Sequence, residues 1–477
     1  MKKIILLSYF IAWISYFSYS QNVGIGTATP AARLHIKGAA DTSQLVIDAN
    51  SIQSNTRPLI KLRTSTGTEL LRIHSDDTSN LFIGLNAGRV NSATPSGGTY
   101  NTFVGGSAGR SNTTGIYNTA TGESALAFNT TGIANTACGG DALIFNTTGS
   151  NNSAFGLSAL AYNSSGNYNT AGGALALYSN TTGSYNTATG KDALFFNTIG
   201  EQNAAYGYAA LANNTSGNLN TANGWQALYS NSNGNGNTGI GMSALKNNTD
   251  GVQNTAVGGG ALFLNTSALN NTAVGFNALY LNTTGYDNTA IGVMADVSVG
   301  TLSNTVALGY SARPNANNKV RIGNTAATVI EGQVGYSFPS DGRFKENIKD
   351  DVKGLDFIMK LQPVSYNFNR LRYAQHIREN LTPDREKTLT AQSQNRTVGF
   401  VAQDVEKIIQ QTGFTSFDAV HAPTNETDNY SLGYAEFVVP LVKAVQEQQQ
   451  QMNGMKKEID LLKEQNKLLL QLLSGKK

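Results

Sequence analysis

Asn118-Thr119-Ala120-Thr121-Gly122-Glu123-Ser124-Ala125-Leu126-Ala127-Phe128-Asn129-Thr130-Thr131-Gly132-Ile133-Ala134 is followed at once by Asn135-Thr136-Ala137-Cys138-Gly139, and the pattern begins again. Asn recurs without a slip at 101, 118, 135, 152, 169, 186, 203, 220, 237, 254, 271 and 288, and Gly follows each by four residues. From Leu126 to Leu279, Leu follows the Asn by eight. The consensus is N-T-A-x-G-x-x-A-L-x-x-N-T-T-G-x-x. A period held this strictly marks a solenoid in which each repeat stacks on the last. A helical repeat needs more length and does not tolerate Gly and Asn-Thr this often. Seventeen residues suit one β-coil of two short strands and two turns, with Gly at positive-φ corners. The Ala and Leu positions would fill a narrow core, and Asn stacked on Asn would form an amide ladder. At a strand spacing of about 4.8 Å, twelve such coils make a rod roughly 55–60 Å long. Leu and the aromatic positions Phe128, Phe145, Tyr162 and Tyr229 speak against a disordered polar tract.

Working outward, the 477-residue chain has room for several domains. Its net charge of +3 gives no electrostatic case for a nucleic-acid partner. Charges are sparse from Asn101 to Ala290 and dense after Ser340, which predicts two kinds of structure. Cys138 is the one cysteine, so no intramolecular disulfide is possible, and it is expected to be a small buried side chain. His35, His74, His376 and His421 lack ligand spacing, so neither a metal nor a cofactor is predicted.

At the N-terminus, Lys2 and Lys3 precede an apolar run from Ile4 to Phe17 and the small residues around Ser18-Tyr19-Ser20. This reads as a signal peptide over residues 1–20, which predicts export to the cell surface or medium. Residues 21–97 are expected to form a β-rich stalk, with strand patterns at Val23–Thr27, Leu34–Ile36, Leu59–Arg63 and Leu70–Ile73. The solenoid is expected over 98–300 and a β neck over 301–339. From Phe437 a long helix carries an apolar seam of Leu441, Val445, Met452, Met455, Ile459, Leu462, Leu469 and Leu473, interrupted by Gln448 and Asn466. Spacings of three and four over five heptads predict a coiled coil over 437–477.

At Ser340 the chain reads S-D-G-R-F-K-E-N-I. Alone this is a common turn. Further blocks follow in order: Leu361-Gln362-Pro363-Val364 with Tyr366, then Gly399-Phe400-Val401-Ala402-Gln403-Asp404-Val405-Glu406, then Tyr430 to Gln446. Together they resemble the endosialidase-type intramolecular chaperone domain, peptidase family S74, with the small α/β domain expected over 340–436. The family pattern S-D-x-R-x-K matches at Ser340, Asp341, Arg343 and Lys345. The resemblance implies that Ser340 is the nucleophile and Lys345 its general base, with Asp341 and Arg343 in support. The bond cut would be Pro339–Ser340, once per chain. A Ser hydroxyl needs an adjacent base, and a Lys serves only if burial or nearby positive charge lowers its pKa.

The resemblance also implies a homotrimer. The thin Ala-Leu core points the same way, since several rods side by side bury more surface. The repeats resemble the heads of trimeric autotransporter adhesins, although the period here is longer. Identical coils slip register easily, so a C-terminal clamp that aligns the chains and then leaves is a sensible device. Glu123, Asp141 and Asp192 occupy variable repeat positions and offer no carboxylate pair for glycan hydrolysis, so no other enzymatic activity is expected. The polar repeat surface suits surface glycans as a ligand, and suits an inert spacer equally. The sequence therefore predicts an exported trimeric fibre that cuts itself. The alternative is a non-cleaving adhesin with a permanent C-terminal trimerisation domain.

Overall fold

The computed structural model describes residues 59–474 except Asp76 and residues 93–96, together with residues 23–25, residues 34–36, Leu45 and Ile47. The expected signal peptide lies outside the described residues. Val23–Ile25 pairs in parallel with Leu34–Ile36. Ile60–Arg63 and Glu69–His74 form an antiparallel hairpin. Its second strand is followed by Leu81–Ile83, the start of a parallel stack that runs to Val320–Ile322. This is a β-solenoid of about 14 turns.

Each coil adds one three-residue strand, the Thr-Ala-x after the repeat Asn, paired in register with its neighbours, as in Thr170↔Thr187 and Ala171↔Ala188. The sequence reading expected two strands per coil. The rest of the coil is turns, because non-glycine residues there adopt left-handed backbone at fixed offsets. In the coil that starts at Asn135 these are Asp141 (φ 57°), Leu143 (φ 51°) and Asn151 (φ 58°). Such residues interrupt an extended run and are uncommon outside glycine. Here each one donates its N–H to a carbonyl of an adjacent coil: Asp141 to Glu123, Leu143 to Ala159 and Asn151 to Ile133, all at 2.9 Å. Stacking thus holds a conformation that an isolated repeat would not keep.

The core is a file of small layers. Each typical coil buries two alanines and one leucine, such as Ala137, Ala142 and Leu143, at 0% exposure. Two columns of asparagine are buried as completely. In the first, Asn186 donates its backbone N–H to Asn169 Oδ1 (3.0 Å) and its amide to Gly200 O (2.8 Å). In the second, Asn180 donates its amide to Asn163 Oδ1 (2.8 Å) and Gly183 O (2.9 Å), and accepts from Asn197. The buried amides are therefore satisfied by the period itself. Outside, side chains stack in files, with Phe128 on Phe145 on Tyr162 and Tyr168 on Tyr185. Cys138 lies on this outer surface, at the exposed third position of its strand, and not inside as expected. Strand alternation turns Ala137 inward and so turns Cys138 outward.

The columns end in changed chemistry. Thr305 takes the asparagine position and donates its hydroxyl to Asn288 Oδ1 at 2.7 Å. Asp296 takes the leucine position and is bound by Arg313 at 2.9 Å. Burial pushes the Asp296 carboxyl up to about 6, against the pull of Arg313 and the Val297 N–H.

Beyond the solenoid the described residues form five α-helices, α1 (Leu355–Ile358), α2 (Arg370–His376), α3 (Pro383–Gln392), α4 (Ala402–Thr412) and α5 (Val438–Ser474), of which α1 and α4 line a small aromatic core. Phe357, Phe414, Phe417 and Phe437 pack together with Val405 and Ile408. Val364–Asn367 pairs antiparallel with Arg396–Gly399, and Val420–His421 with Ser431–Leu432. The base of α5 is tied to the domain, since Glu447 Oε2 accepts the Leu355 N–H at 2.7 Å and caps α1. Only Pro440 and Ala444 of its 37 residues are buried.

Candidate autocleavage site

The chain leaves the last coil at Gly323 and reaches α1 through an exposed segment. Within it, Gly342–Phe344 forms one turn of 3-10 helix. Asp341 caps the turn, its Oδ1 accepting the Arg343 N–H at 2.9 Å. The other carboxylate oxygen receives Arg343 Nε and Nη2 at 2.9 and 2.6 Å. The Arg343 side chain first, and its backbone N–H second, hold the Asp341 carboxyl below the ordinary carboxylate range, and the same pairing raises the Arg343 guanidinium.

The turn has a geometric consequence. Five residues fully extended would span about 17 Å. Folding the middle of the stretch into a 3-10 turn, at about 2 Å rise per residue, brings its ends together. Lys345 Nζ then donates to Ser340 Oγ at 2.8 Å. A hydroxyl nucleophile and an amine base stand within direct proton-transfer distance. Pro339 precedes Ser340 immediately, so the Ser340 hydroxyl is covalently held near the Pro339 carbonyl.

All four motif residues are brought together, but at the surface. Residues 327–350 are exposed throughout, and Phe338, Phe344 and Ile348 point their apolar side chains outward. The Arg343 charge is committed to Asp341. Among the described residues, no group of three or more His, Cys, Asp and Glu side chains could hold a metal ion. No helix of the described residues is long and apolar enough to cross a membrane.

Two sets of residues escaped the sequence reading. The second asparagine column was visible as the N-T-T-G half of the consensus, but its burial was not. The residues that join the domain to the solenoid end, such as Lys319 and Asp428, are 109 positions apart and carry no local signature.

The molecule is thus an elongated β-solenoid that ends in a small domain with a Ser–Lys pair at the domain's first residue. Residues 340–414 match the family described as chaperone of endosialidase, peptidase S74, and the match begins at Ser340 itself. No curated protein matches the chain.

Proposed function

We propose that this chain is the precursor of an exported homotrimeric fibre whose C-terminal domain directs assembly and then cuts the Pro339–Ser340 bond. The carrying observation is the 2.8 Å hydrogen bond from Lys345 to Ser340, at the residue where the family match starts. In this reading Ser340 Oγ adds to the Pro339 carbonyl carbon while neutral Lys345 takes the hydroxyl proton. The C–N bond breaks, and the Ser340 nitrogen leaves with that proton as an amine. Water then hydrolyses the ester on Ser340 Oγ, giving a Pro339 carboxylate and a free hydroxyl.

Assembly supplies what the single chain lacks. Leu461, Leu462, Leu468, Leu469, Leu472 and Leu473 stand exposed on α5, an apolar density that calls for partner helices. The exposed apolar side chains around Ser340 invite the same burial. Covering them would desolvate Lys345, which favours its neutral form and starts the reaction only in the assembled state. The positive n-region and apolar run at the N-terminus support export, and the exposed aromatic files of the solenoid suit glycans at a cell surface.

The exposure of the dyad favours one second reading, an uncut adhesin with a permanent clamp. Intact mass under denaturing conditions separates the two. The wild type should give two fragments meeting at Pro339–Ser340, and Ser340→Ala and Lys345→Ala should each give one intact species that still assembles. Cleavage persisting in Ser340→Ala would remove the dyad assignment.

A further inference from the structure

The bond proposed for cleavage lies in a segment that holds nothing together. Among the described residues, every hydrogen bond made by residues 328–349 stays within that segment. The chain on either side of it is, by contrast, joined directly. Lys319, at the solenoid end, donates to Asp428 Oδ1 at 2.8 Å, and the Asp428 side chain is fully buried. Asn315 donates to Thr427 O at 2.5 Å, while its own carbonyl accepts Asn425 Nδ2 (3.0 Å) and the Thr427 hydroxyl (3.2 Å). Further out, Arg321 Nη1 donates to Tyr373 OH at 3.0 Å, and Arg370 Nη1 to Thr325 O at 2.9 Å.

The chemistry of this contact is that of a built interface. A solenoid end presents an open core and unpaired strand edge, which repeat proteins cover with a polar-faced cap. Here the loop 425–429 bonds to Ser298, Asn315 and Lys319 at that end, and the core column itself gives way to Asp296, paired with Arg313 inside the solenoid. Charge-assisted contacts of this kind are the stronger class of hydrogen bond, and the covalent tether contributes none of them.

We infer that the 425–429 loop and α2 of the C-terminal domain form a docking surface for the solenoid's own end, and that severing the chain at 339–340 leaves the domain seated there as a lid. The timing of severance rests on the cleavage proposed above; the docking does not. The C-terminal fragment is therefore a resident subunit of the mature fibre, where the sequence reading had it depart.

The test severs the chain without the dyad. In full-length Ser340→Ala protein, a site-specific protease sequence replaces residues 332–337 and is cut under native conditions. Size exclusion in physiological salt should then return both fragments in one peak. The same protein carrying Asp428→Asn and Asn315→Ala should lose the C-terminal fragment from that peak after the cut, while remaining folded and soluble before it. Separation of the fragments with the native interface overturns the inference. Co-elution that persists in the double variant overturns the assigned surface. A wild-type chain that never cuts itself defeats the dyad and leaves this result untouched.

Discussion

The solenoid and the C-terminal domain solve opposite problems. The solenoid meets its needs with near neighbours: each coil's core, buried amides and backbone hydrogen bonds find partners within the coil or in the coils beside it. The domain leaves much of its apolar surface unmet, most plainly along α5 and around Ser340. One region is complete within a single chain, and the other is built to be completed by something else. Periodic local contacts give a rod its stability, while exposed apolar surface gives a domain its drive to associate.

This contrast can be broken at several points. Deleting residues 446–474 should have the largest effect, complete loss of self-association by light scattering, with the β-rich circular dichroism of the rod unchanged. If association persists, the solenoid is less self-sufficient than its contacts indicate. Gly190→Ala strikes the rod itself. Its φ is 129°, and an added Cβ would come within 2.5 Å of Gly207 O, a backbone atom that cannot turn aside. Strain and clash together should cost about 4 kcal/mol in denaturant unfolding. Asn180→Leu should cost less, about 2–3 kcal/mol, by removing the amide that donates to the buried Asn163 Oδ1 and to Gly183 O and accepts from Asn197. A neutral result would mean that the ladders fill space and contribute no net bonding.

The smallest effect concerns the joint between the two regions. Burial acts to raise the Asp428 carboxyl, but Lys319, the Thr424 and Asn429 N–H groups and His421 outweigh it and hold it well below its ordinary 3.8. A depressed carboxylate stabilises the folded contact above its unfolded pKa and loses that contribution as pH falls below it. Retention of the lid in the severed chain should accordingly be flat from about pH 7 to about pH 5 and decline below about pH 4. Asp428→Asn should remove that decline, at a uniformly weaker level of retention.

Much of this architecture is legible because a repeat states its own neighbours. Asn135 and Asn152 occupy equivalent places, so stacking coils stacks their side chains. The Ala and Leu positions likewise had to point inward as a set. The number of strands per coil was not legible, because it depends on Leu143 and its equivalents taking left-handed backbone, which leucine avoids without the cross-coil bond. Cys138 was misplaced for a related reason: without a fixed strand position, its face could not be assigned. At the candidate site, Ser340 and Lys345 could be named from the motif, whereas their 2.8 Å contact required the turn that Asp341 caps.

The sequence by itself determined the solenoid, its period and its inward alanines and leucines, since a pattern repeated at fixed spacing sets each position on its equivalent in the neighbouring coils. It also marked Ser340 and Lys345 through motifs in fixed order. Only the tertiary structure decided that Asn315 and Lys319 would meet Thr427 and Asp428, and that the segment between 328 and 349 would carry none of that contact. Such pairings join residues more than a hundred positions apart without a period to relate them. They follow from how two finished surfaces match, which no local pattern of side chains encodes.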